Sequence, residues 1–210
     1  MAPLNPLAMG LPIMILVVFL EFLSLPLGQI LSPLAVTLII RLLQIAVMAT
    51  GIFHFNKKEA PFSLAIQPLR RALLKGVIWS GAFGFLAAAL GLLLFAIGIN
   101  PLKLFGSLNH QSAFQRAFFF FTGAFVSPVA EELLFRGILY ASLRPMGMLP
   151  ALAITTLLFA GAHGLSGAVP ITQIIGGLLF GLAYEKERHI LVPILIHVLG
   201  NSALFTLAAI

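Results

Sequence analysis

The chain has 210 residues, 60% of them hydrophobic and only 9% charged, and its mean hydropathy is +1.11. A soluble domain of this length cannot use so much apolar surface, because its exterior faces water; the composition points to lipid as the solvent. The net charge of +6 sits on bases between apolar runs, a membrane-orientation pattern rather than a nucleic-acid footprint, and the absence of cysteine excludes disulfides, thiolate metal sites and a cysteine nucleophile.

A helix that crosses a bilayer takes roughly 20 apolar residues. Such runs lie near 7–27, 33–55, 76–98, 113–144, 149–165, 170–184 and 190–208. The expected fold is all-α, a single polytopic membrane domain over 1–210 with about seven spans. No charge precedes the first run and no clean cleavage signal follows it, so it reads as a retained helix. The fourth run is too long for one straight span and holds Ser127-Pro128 at its middle, where a kink is expected. The fifth and sixth are short and separated by Gly164-Leu165-Ser166-Gly167, as half-spans or a broken pair lining a cavity would be. Gly76, Ser80 and Gly84, and again Gly177 and Gly181, recur at four-residue spacing and let helices approach closely.

With residues 56–75 in the cytosol, that side holds Lys57, Lys58, Arg70, Arg71, Lys75, Arg144, Lys186 and Arg188, against Lys103 and Arg116 opposite. Eight bases against two place the N-terminus in the cytosol.

Three ionisable groups share the fourth run: Glu131, Glu132 and Arg136. A charge in the bilayer core costs several kcal/mol unless paired or hydrated, so this is a site by default. Glu132 and Arg136 are one helical turn apart and can pair, while Glu131 is rotated about 100° away and is left available as a general acid or base. The bland alternative is an ion-pair cluster locking two helices. His163 precedes the glycine-rich break, and alone it reads as a histidine satisfied by a carbonyl. His197 and Asn201 share one face of the last run, where they would serve a site or simply form an interhelical hydrogen-bonded pair. Gly200 between them allows close approach of backbone or substrate. Counting 1.5 Å per residue from each cytoplasmic end puts Glu131 roughly 20 Å deep, His163 about 21 Å, His197 about 12 Å and Asn201 about 18 Å. Polar residues from separate runs thus meet at overlapping depth.

Other polar residues read as structural. Glu21 and Arg41 are placed to form an ion pair between neighbouring spans; His54, His110, His189, Trp79 and Tyr184 fall at span ends; Ser127 and Ser166 have no activating motif.

Glu131-Glu132-Leu-Leu-Phe-Arg136-Gly137, Phe159-Ala-Gly-Ala-His163 and His197-Val-Leu-Gly-Asn201, in this order, closely resemble the CPBP (Abi) family of CAAX-processing and bacteriocin-processing intramembrane proteases. The motifs cover about residues 127–205. The resemblance implies a helical membrane peptidase with its catalytic core at about 113–208. It makes Glu131 the catalytic glutamate, Glu132 and Arg136 supporting residues, and His163 the partner of Glu131 on the attacking water. His197 and Asn201 complete the site by stabilising the oxyanion. The implied partners are the lipid bilayer and a membrane-associated protein or peptide, CAAX-like or a leader peptide, with no nucleic acid.

Two mechanisms suit these residues. In the preferred one no cofactor is needed, and Glu131 with His163 polarises water. In the other, Glu131, His163 and His197 bind one divalent metal, zinc by ligand type, although the helical two-histidine signature of zincins is missing. A proton-coupled transporter would also use intramembrane Glu and His, but the paired broken helices of such folds are found in one half of the chain only. A non-catalytic immunity or scaffold protein would keep the motif as packing.

Overall fold

A computed structural model describes residues 6–56, 68–100, 112–164 and 170–208. These form seven helices: α1 (Pro6–Leu27), α2 (Pro33–Asn56), α3 (Leu69–Ala96), α4 (Ala113–Met146), α5 (Met148–His163), α6 (Ile171–Glu187) and α7 (Leu191–Ala208). The chain is an all-α, multi-pass membrane protein, with no strand among the described residues. The first four helices are long and apolar enough to cross a membrane. The other three are shorter: α5, with 16 residues, is about 24 Å long against a hydrocarbon core of roughly 30 Å. His163, its last residue, therefore stops within the apolar layer when the helix starts at an interface.

The long helix α4 is central. On one side Ala130, Leu133, Ile138 and Tyr140 pack with Ile13 and Val17 of α1 and Met48 and Ile52 of α2. On the other, Phe135 packs with Phe159 of α5, Phe180 of α6 and Val192 and Ile196 of α7. Helix α3 runs along α7 and adds Ala72 and Trp79 to the second cluster. It begins seven residues before the expected start, so Arg70, Arg71 and Lys75 lie on its first turns rather than in a loop. Interfacial charges are tolerated there, and Lys75 reaches Glu187 at 3.8 Å.

Helix α4 answers Pro128 with a change of winding. The turn Thr122–Val126 just before Ser127-Pro128 is π-helical, and so is the stretch Leu133–Tyr140; Glu131 and Glu132 sit on the α-helical segment between them. A wider turn eases the clash of the proline ring with the turn before it.

Close approach occurs at three of the expected small residues. A Cβ on Gly76 would meet Leu195 at 2.7 Å, one on Gly177 would meet Thr156 at 3.0 Å, and one on Gly181 would meet Leu152 at 2.5 Å. Gly84 and Gly200 are different: a Cβ at either would meet nothing within 4 Å, so neither marks a helix contact. Tyr184 and His189 lie at the α6–α7 end, as expected, but are turned into the protein. They are 7% and 4% exposed, and Tyr184 packs edge-on against Tyr140. The expected pair of Glu21 and Arg41 forms at 3.0 Å, with Gln44 donating to the same Glu21 oxygen. Lys57, Lys58, Lys103, His110, Ser166 and the side chain of His54 lie outside the described residues.

Candidate active site

Glu131 and Glu132 take different surroundings from adjacent positions. Glu132 is fully buried and accepts two charge-assisted bonds on one oxygen, from Arg136 Nη1 at 2.9 Å and from His197 Nδ1 at 2.8 Å. Arg136, also fully buried, donates through Nη2 to Gly177 O at 3.0 Å. The rings of Phe159, Phe180 and Phe135 surround its guanidinium at 5.0, 5.3 and 5.9 Å. Desolvating an ion pair is expensive, and these bonds and ring faces offset the cost. The Glu132–Arg136 pair expected from the sequence is therefore present.

Glu131 is left with no such partner. Its Oε2 is buried and makes no hydrogen bond, yet two imidazoles point at it: His163 Nε2 at 3.7 Å and His197 Nε2 at 3.8 Å. Both rings are fixed from behind. His163 Nδ1 lies 2.8 Å from Phe159 O, and a carbonyl only accepts, so that nitrogen carries the proton. His197 Nδ1 faces the Arg136-paired carboxylate of Glu132 and carries its proton for the same reason. In its neutral form each ring presents the lone pair of Nε2, and in its protonated form an N–H at the same place. With both rings neutral, a carboxylate oxygen and two imidazole nitrogens converge as acceptors, and what suits the point between them is a donor. His163 is a third exposed, Glu131 one sixth, and His197 is buried, so the point is reached from the His163 side.

The sequence reading gave no role to two aromatic residues. Phe180 stacks on His197 with ring centres 4.6 Å apart, and Phe159 touches His163 at 4.7 Å and His197 at 5.9 Å. Phe159 had a signal, since it lies one turn before His163 on the same face. Phe180 had none. Asn201 reaches a different place: its Nδ2 donates to Gly123 O in the π-helical turn of α4 at 3.0 Å.

The donor set would suit a divalent ion by ligand type, but its spacing does not fit one. Tetrahedral zinc with bonds of about 2.0–2.1 Å holds its ligand atoms about 3.4 Å apart. Glu131 Oε2 stands 3.7 and 3.8 Å from the two nitrogens, and among the described residues no three His, Asp or Glu side chains converge closely enough to hold an ion.

Residues 113–203, which carry all of these groups, match the family described as Rce1-like, type II CAAX prenyl endopeptidase. Over 90 residues the chain is 31% identical to the membrane-embedded CAAX protease MroQ of Staphylococcus aureus (strain USA300). That alignment covers 40% of this chain and 36% of the relative, so it spans little more than a third of the relative's length. No solved structure matches the chain. The matches support the CAAX-protease resemblance read from the motifs; α1, α2 and α3 lie outside the family match.

Proposed function

We propose that the chain is an intramembrane endopeptidase that hydrolyses an amide bond of a membrane-associated substrate, with Glu131 as general base. The observation that carries this reading is the convergence of His163 Nε2 and His197 Nε2 on Oε2 of Glu131, while the neighbouring Glu132 is held through Oε1 by Arg136 and His197 Nδ1. One water oxygen with hydrogen bonds of about 2.8 Å spans about 4.5 Å at tetrahedral angles, so separations of 3.7 and 3.8 Å admit a water once the side chains open slightly around it. Glu131 removes a proton from that water as it attacks the carbonyl, then returns it to the leaving amine. His163 holds the water beside Glu131. His197, its ring fixed by Glu132, faces the same point and donates to the oxyanion when it carries a proton on Nε2. No step is routed through a metal.

The apolar surroundings favour a substrate whose scissile segment sits near lipid, such as a prenylated CAAX-like C-terminus or a leader peptide. The family match and the similarity to a CAAX protease support that class. The distribution of basic residues supports a cytosolic N-terminus. Because the chain has no cysteine, a single Ser32→Cys in the turn between α1 and α2 tests this, and an impermeant maleimide should label it from outside intact cells.

The decisive assay uses purified protein in detergent with a fluorogenic farnesylated peptide ending in a CAAX-type tetrapeptide, and with an unprenylated leader-type peptide. Glu131→Gln should abolish cleavage while leaving the elution profile and helicity of the protein intact. Cleavage by Glu131→Gln at the parent rate would sink the reading. So would a parent protein that cleaves neither peptide and conducts protons in liposomes.

A further inference from the structure

Pro128 leaves one carbonyl of α4 without a helical donor. In the π-helical turn, the Ser127 N–H donates to Thr122 O, five residues back. The next carbonyl, Gly123 O, would take the corresponding bond from residue 128, which is proline and has no N–H. An unpaired carbonyl at this depth has no water to turn to. Asn201 supplies the missing bond: its Nδ2 donates to Gly123 O at 3.0 Å. One turn further along α7, Phe205 lies so close that a Cβ on Gly123 would meet its ring at 2.6 Å. Two successive turns of α7 are thus pinned to one residue of α4.

We propose that Asn201 is a positioning residue, which caps the carbonyl orphaned by Pro128 and so sets the axial position of α7 against α4. Gly123 shares its helix with Glu131 and Glu132, and Asn201 shares its helix with His197. The Asn201–Gly123 bond therefore sets the register that puts His197 Nδ1 2.8 Å from Glu132 and its Nε2 3.8 Å from Glu131. The bond takes one of the two N–H donors of the Asn201 amide, so it is compatible with the oxyanion role implied by the motif resemblance. Its catalytic consequence rests on the peptidase reading above; the pinning itself does not.

The test is a second-site repair. Asn201→Asp keeps the shape of the side chain but replaces the donating amide with an acceptor. Pro128→Ala gives residue 128 an N–H that can satisfy Gly123 O from within the helix. Melting temperature in detergent and kcat and KM for the fluorogenic peptide are measured for the parent, both single variants and the double variant. Asn201→Asp should melt lower and lose at least tenfold in kcat with KM within twofold of the parent. Adding Pro128→Ala should recover most of both losses. A double variant that melts no higher and turns over no faster than Asn201→Asp overturns the proposal. So does an Asn201→Asp variant that loses activity with no change in melting, which is the behaviour of a group that touches only the substrate. Asn201→Ala, alone and with Pro128→Ala, repeats the comparison without introducing a charge. The melting half needs no substrate, so a chain that proved not to be a peptidase would still decide it.

Discussion

Adjacent glutamates given the same substitution should change stability in opposite directions. Glu132 and Arg136 are both fully buried and joined at 2.9 Å. In Glu132→Gln the arginine keeps Gly177 O and three aromatic faces but loses the carboxylate that balances its charge. Removing one partner of a buried pair costs about 3–5 kcal/mol. With roughly 2–4 °C per kcal/mol for a chain of this size, melting should fall by about 6–20 °C. Glu131→Gln removes a charge whose Oε2 is buried without a hydrogen bond, so melting should hold or rise. The assay is the fraction still monodisperse by size exclusion after heating in detergent. Arg136→Met added to Glu132→Gln should restore much of the loss, because a neutral side chain of similar length fits among Phe135, Phe159 and Phe180. The argument fails if Glu132→Gln melts within about 2 °C of the parent, or if the double variant is no more stable than the single one.

Gly177→Val should lower stability by roughly 1–3 kcal/mol, because its Cβ would press on Thr156 and move the carbonyl that Arg136 uses; thermal melting checks it. Glu185→Gln should cost about 1–3 kcal/mol on the same assay, since Glu185 accepts from Tyr140 at 2.6 Å and bidentately from Arg144 and ties α6 to the end of α4. Burial holds the His189 imidazole below its ordinary value, and the ring accepts from the Leu191 N–H at Nδ1, so the folded state keeps it neutral. The unfolded chain binds the extra proton first, so this contribution is intact above about pH 6.5 and is lost as pH falls below it. Parent and His189→Gln should therefore converge in melting temperature between pH 8 and pH 5.5. Peptide cleavage should survive exhaustive chelation; loss that zinc alone restores would favour the metal route.

The sequence showed features that depend on cost in lipid. Apolar runs located all seven helices, and the need to pair intramembrane charges located Glu132–Arg136 and Glu21–Arg41. What stayed hidden depends on winding and on contacts between distant helices. The start of α3 was missed because basic residues on the first turns of a helix look like loop in a hydropathy reading. The partner of Asn201 is a backbone carbonyl 78 residues away, and backbone groups leave no mark on residue type. Gly200 lies between His197 and Asn201 in sequence but on a face with no neighbour within 4 Å, which position between two polar residues does not reveal. Tyr184 looked interfacial by position, but its ring turns inward onto Tyr140.

The π-helical stretch explains how one helix serves two partners. Glu132, Arg136, Tyr140 and Arg144 all bond to α6 or α7: Glu132 to His197, Arg136 to Gly177 O, and Tyr140 and Arg144 to Glu185. In a regular α-helix four residues overshoot a full turn by about 40°, so three such steps would carry the row about 120° round the helix and off its partners. A π turn takes more residues, so four of them fall short of a full turn and turn the row back. The stretch Leu133–Tyr140 lies within this row and cancels the drift. Glu131, one residue out of the row, is thereby held facing His163 of α5 and His197 of α7 together. It follows that residues restoring α-helical winding, such as an alanine in place of Gly137, should disturb the Arg144–Glu185 end before the carboxylates. The drift accumulates away from the pair at 131 and 132. Labelling or crosslinking that found the Glu131 side displaced first would contradict this account of the winding.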